Sequence, residues 1–285
     1  MTRRRHLIPT LLVLTLLLAI VVVSPAPDSS KPTAAKIQLQ PFEPAEQLIF
    51  EGEFTRSLLR GINVADLSFS FSYAPTGHTD KADQKQQAAF RFTGEAISKG
   101  IVSKLFGLNF RQRVESVVEP DTFSVLHTTK LDEQGKRKRA SEAVFDPVSG
   151  KIVFTEVDPN DSTRAPRVVN SQADGRIVDI ASAFYYLRTL KLEPGMTVEL
   201  LISDTGEVYR TPVRIVRRER IKTVLGNVNT LRVVPELFGD GHLIRGKGEI
   251  TIWFTDDARL IPVRAKINNS LGRLDIRLKK VTNGR

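Results

Sequence analysis

Between Val64 and Tyr73 the chain reads V-A-D-L-S-F-S-F-S-Y. Leu67, Phe69, Phe71 and Tyr73 alternate with Ser68, Ser70 and Ser72. Successive side chains of a strand point to opposite faces, so period two over this length predicts a strand with one buried face and one wet face. The same grammar recurs along most of the chain. Candidate strands are Gln47 to Phe54, Ala88 to Thr93, Arg111 to Val118, Thr122 to Leu131, Ala140 to Phe145 and Lys151 to Val157. The second half adds Thr197 to Ile202, Glu207 to Arg218, Arg220 to Leu225, Asn229 to Val234, Glu249 to Thr255, Ile261 to Asn268 and Arg273 to Lys280. Turn residues separate them, among them Glu119-Pro120-Asp121, Asp146 to Gly150, Ser203 to Gly206 and Asn268 to Gly272. So many short strands at close spacing predict a mainly β fold. An antiparallel meander forming an open barrel or half-barrel is the first expectation, and a two-sheet sandwich the alternative.

Two stretches carry helical spacing instead. Glu95 to Leu108 holds Ile97, Ile101, Leu105 and Leu108. Asp179 to Leu190 holds Ile180, Ala183, Phe184, Leu187 and Leu190, with Asp179 as a helix N-cap. In an open sheet such a helix is placed to plug the concave face. Its consecutive aromatics Phe184, Tyr185 and Tyr186 must point in different directions. Phe184, Tyr185 and Leu187 are therefore the candidate ligand-binding residues.

The N-terminus has a different character. Arg3, Arg4 and Arg5 precede an apolar run from Leu7 to Val23, followed by Ser24-Pro25-Ala26. A basic, an apolar and a small-residue region in that order read as a secretory signal. The run is also close to the shortest that spans a bilayer as a helix, roughly 17 residues. Residues 1–26 are thus either a cleaved signal or a retained inner-membrane anchor, and Pro27 directly after the cut disfavours cleavage. Residues 27–45 are a Pro-rich linker, and residues 46–285 the exported β-rich domain. The expected location is the periplasm or another extracytoplasmic space. No cysteine is present, so neither a disulfide nor a lipid-modified cysteine contributes.

Chemistry is sparse. The histidines, His6, His78, His127 and His242, show no metal-ligand spacing, and no metal or cofactor is expected. No G-x-S-x-G elbow occurs, and Gly246-Lys247-Gly248 lacks the spacing of a phosphate-binding loop. Asp256-Asp257 reads as a turn. A site around Asp240, His242 and Arg245 is the nearest approach to a catalytic cluster. The net charge is +10, and +7 without Arg3, Arg4 and Arg5. Clusters at Lys136 to Arg139 and Arg217 to Arg220 could meet an anionic surface, whereas a solvated hairpin explains the first as well. The secretory signal and the absence of a nucleic-acid-binding motif argue against nucleic acid.

Several short motifs together resemble the bacterial domain-of-unknown-function family 3108. They are Asp179 to Arg188 with Leu192-Glu-Pro-Gly195, the Asp204-Thr-Gly206 hairpin with Tyr209, Arg218-Glu219, Thr223-Val-Leu-Gly226, and Trp253 to Asp256 with Arg259 to Val263. The resemblance implies an exported envelope protein with a β-rich fold, and it transfers no catalytic residue. Three readings follow. The first is a non-enzymatic envelope protein that binds a hydrophobic or lipid-like molecule in a curved sheet. The second is a membrane-anchored structural or interaction module with an envelope protein as partner. The third, least favoured, is a hydrolase of envelope polymers.

Overall fold

A computed structural model describes residues 41–57, 59–75, 88–100 and 109–283. The signal-like segment, most of the Pro-rich stretch, the loop carrying His78 and positions 101–108 of the first predicted helix lie outside them. The first eight strands are β1 (Gln47–Arg56), β2 (Leu59–Pro75), β3 (Ala88–Ser98), β4 (Phe110–Val118), β5 (Val125–Gln134), β6 (Arg137–Phe145), β7 (Lys151–Val157) and β8 (Arg167–Gln172). After β9 (Ile177–Asp179) comes helix α1 (Ile180–Arg188). The remaining strands are β10 (Thr197–Asp204), β11 (Glu207–Thr223), β12 (Gly226–Pro235), β13 (Gly248–Thr255), β14 (Pro262–Asn269) and β15 (Gly272–Thr282).

All fifteen strands among the described residues belong to one sheet, which excludes the two-sheet sandwich. Its order is β8-β7-β6-β5-β4-β3-β2-β1-β15-β14-β13-β12-β11-β10-β9. Two meanders therefore meet where the first strand pairs with the last, from Gln47↔Thr282 to Thr55↔Arg273. Every pairing is antiparallel except that of β9 with β10. The parallel pair arises because helix α1 connects β9 to β10 and carries the chain back before β10 begins.

The connection from β8 to β9 sets the curvature. Strands β8 and β9 are the two edges of the sheet, yet residues 173–176 alone connect them. Four residues span at most about 17 Å between the flanking Cα atoms, so the edges must curl toward each other. The ladder does not close, but side chains of the two halves meet. Lys130 Nζ on β5 reaches Asp204 Oδ1 on β10 at 2.6 Å. At the β10–β11 turn Gly206 has φ +87, and a Cβ there would lie 2.8 Å from the Cβ atoms of both Phe154 and Val169. The result is an open, barrel-like sheet around a concave interior.

Two sequence expectations change. Glu95 to Ser98 continues β3 instead of opening a helix, since its backbone pairs with both β2 and β4. The folded body also reaches back into the Pro-rich stretch. Phe42 is buried among Phe71, Phe90, Phe92 and Tyr185, with ring centroids 4.7 to 5.9 Å away. Lys136 to Arg139 behaves as a solvated hairpin: Gly135 and Lys136 form the turn, while Arg137, Lys138 and Arg139 pair with Asp132, Glu133 and Asp158.

Helix α1 is fixed at its C-terminal end by a buried ion pair. The Arg188 guanidinium donates to both carboxylate oxygens of Glu46, at 2.6 and 3.1 Å, and both side chains are 0% exposed. It also donates to the carbonyls of Arg259 and Pro41. Arg259 adds a second contact to Glu46 at 2.9 Å.

Two outcomes test this architecture by urea unfolding. Arg188→Ala removes the two-pronged partner of a buried carboxylate, leaving it only Arg259, and is expected to cost about 3–5 kcal/mol. Gly206→Ala combines a left-handed backbone with overpacking where the two halves meet and is expected to cost about 2–4 kcal/mol.

Candidate ligand cavity

The helix begins at a polar knot. Asp179 is the N-cap: its Oδ1 accepts from the Ser182 amide at 2.8 Å, and Ser182 Oγ accepts from the Asp179 amide at 2.8 Å. The other carboxylate oxygen accepts from the hydroxyls of Ser116 on β4 and Thr128 on β5. One side chain thus caps the helix and ties it to the inner face of the sheet. With Arg188 held at the far end, α1 lies inside the curve with its rotation fixed.

That rotation sorts its side chains. Ile180, Ala183, Phe184 and Leu187 recur at three and four residues and face a cavity of about 210 Å³ between helix and sheet. Phe50, Leu67 and Phe69 from β1 and β2 line it, as do Ile250 and Ile252 from β13, Ile267 from β14 and Ile276 from β15. Phe184 stacks on Phe69 with centroids 4.9 Å apart. The exposed wall is overwhelmingly apolar. Polar groups gather toward β4, β5 and β10, where Gln112, Lys130, Asp132, Asp179 and Asp204 also border the cavity. Gln112 donates to Asp132 at 2.7 Å. The cavity is therefore apolar over most of its wall, with most of its hydrogen-bonding and charged groups toward β3 to β5, β9 and β10, and Arg264 of β14 bordering it from the other half.

Of the three residues singled out by sequence, Phe184 and Leu187 line this cavity and Tyr185 does not. Tyr185 points to the other side of α1 and is 0% exposed, stacked on Phe92 at 4.2 Å. Burial pushes its phenol well above the usual range, with the Arg188 guanidinium opposing. Its hydroxyl has no hydrogen-bond partner among the described residues. The sequence could not choose among three consecutive aromatics, because the choice depends on anchors in distant strands. Phe69, Ile252 and Ile267 belong to the inward rows of their strands, so alternation identifies them as inward without showing that space lies in front of them.

Asp240, His242 and Arg245 do not line this cavity. The His242 ring bonds the Glu236 carbonyl at 2.8 Å and packs against Gly239. His127 pairs with Glu142 at 2.6 Å on the exposed side of β5 and β6. Among the described residues no group of three His, Cys, Asp or Glu side chains is placed to hold a metal ion.

A family model described as "Protein of unknown function (DUF3108)" matches residues 61–279. The chain belongs to this family. No curated protein matches it. Among solved structures it resembles a beta-barrel-like protein of the domain of unknown function DUF1849 from Brucella abortus. Identity is 10%, coverage is 85% of this chain and 99% of that one, and the TM-score is 0.53. A protein from Bacteroides fragilis, provisionally described as exported with a YmcC-like fold, overlaps more loosely. It has 10% identity, coverage of 85% and 98%, and a TM-score of 0.31. The Brucella likeness agrees with the open barrel-like sheet of this DUF3108 member.

Asp179→Ala removes the helix cap and leaves the Ser116 and Thr128 hydroxyls unpaired on the inner face. The expected loss is about 2–4 kcal/mol, read from the urea midpoint.

Proposed function

We propose that this DUF3108 protein is a non-enzymatic envelope protein that holds a hydrophobic or lipid-like molecule between α1 and the concave sheet. The observation that carries the reading is the cavity wall. A helix stripe of Ile180, Ala183, Phe184 and Leu187 faces apolar side chains from both halves of the sheet across unfilled space. Close packing is the norm in interiors, and dry apolar cavities bind apolar guests. The polar margin at Lys130, Asp204 and Gln112 suits a molecule with a polar end. The basic and apolar N-terminal segment supports an extracytoplasmic location, with inner-membrane association through Leu7 to Val23 if it is retained.

The test is mass spectrometry of molecules that co-purify with the full chain from its own host envelope, beside an Ala183→Phe variant that fills the cavity. The expected result is an apolar or lipid-like molecule near one per chain, reduced at least about tenfold in the variant. Equal recovery from both proteins would place the molecule elsewhere. A chain that carries nothing would favour the interaction-module reading.

A further inference from the structure

Strands β11 and β12 outrun their neighbours. β10 pairs with β11 only as far as Arg214, and β13 pairs with β12 only from Thr230 to Val233. Residues 216–228 therefore form a two-stranded ribbon whose backbone pairs only with itself. A bulge between Ile215 and Arg217 marks its root, where extra twist re-aims the strand.

The chemistry of the tip is unusual. Two-residue hairpin turns favour Gly, Asn and Asp. Here the turn residues are Val224 and Leu225, 54% and 42% exposed. Behind them Ile221 and Val228 sit opposite each other on one face. Arg218, Arg220 and Lys222 occupy the other face with Asn227 and Asn229. The ribbon holds four cations and one acid. That acid, Glu219, is engaged by Trp253 and Arg217. Arg218 pairs with Asp256, while Arg220 and Lys222 have no ion pair among the described residues.

We propose that this ribbon docks on an anionic lipid surface, with Val224 and Leu225 below the headgroups and Arg220 and Lys222 among them. Spacing supports the order. Lys222 lies about 7 Å behind Val224 at the usual strand rise. Interfacial segments bury apolar side chains about 5–10 Å into the headgroup boundary. Charge selects the occupant: anionic headgroups attract Arg220 and Lys222, whereas a second copy would bring the same cations face to face. This contact is independent of what the cavity holds.

The chain has no cysteine, so single probes can be placed cleanly. Leu225→Cys, and Val148→Cys as a reference, are labelled with an environment-sensitive fluorophore on the full chain in vesicles. Val148 is 96% exposed at the turn after β6. In vesicles of phosphatidylglycerol and phosphatidylethanolamine, the 225 probe is expected to shift to the blue and be quenched by spin-labelled lipid, while the 148 probe is not. Any N-terminal anchoring is common to both and cannot produce the difference. Arg220→Gln with Lys222→Gln is expected to weaken docking roughly thirtyfold. The same signal in phosphatidylcholine alone, an equal response at 148, or none at 225 would overturn the proposal.

Discussion

The Arg188–Glu46 pair fixes more of this molecule than any other single contact. Two opposite charges with no solvent access are tolerated only when nearly every donor and acceptor is used. Here they are: the guanidinium binds one carboxylate and two carbonyls, and Arg259 completes the carboxylate's partners. The contact joins the segment just before β1, the end of the helix and the β13–β14 connection. Phe42 and Tyr185 rings lie beside the guanidinium, with its carbon 5.6 and 5.4 Å from their centroids. Asp179 does the corresponding work at the other end of α1, through hydroxyls of β4 and β5. Between these two polar anchors the helix cannot roll, and the cavity owes its shape to that constraint.

The interior is thus divided by the helix into unlike halves. On one side Tyr185 is buried against Phe42 and Phe92. On the other, the stripe from Ile180 to Leu187 borders the cavity, with Phe184 in contact with Phe69 of β2. A helix held only by hydrophobic contact could settle toward the open side, because apolar packing is non-directional. Fixed hydrogen bonds at both ends oppose that collapse.

The strand pattern was legible in the sequence because a half-buried strand writes its alternation directly, as in Leu67 to Tyr73. Asp179 as N-cap was legible for the same local reason. Strand β8 was not: Arg167 to Gln172 is a polar edge strand, and Val168 is 55% exposed, so burial leaves no mark on it. Glu95 to Ser98 misled because Ile97 and Ile101 satisfy a helical spacing, while pairing with β2 and β4 on both sides holds the segment in the sheet. The cavity was half legible. Phe184 and Leu187 could be named from the helix, but the orientation that excludes Tyr185 rests on partners 63 and 142 residues away. A buried charge pair across such a distance has no sequence signature.

The meeting of β1 with β15 at the middle of the sheet bears on how the molecule must be made. The first strand of the meander finds its second neighbour only when the last strand arrives, and contacts so remote in sequence are slow to form. A chain that emerges amino end first, from a ribosome or through a translocation pore, has β1 to β8 available as a meander with one flank unmatched. The joining ladder at Gln47 to Thr55 must wait for Arg273 to Thr282. Completion of the sheet is thereby tied to the emergence of β15, long after β1 is available.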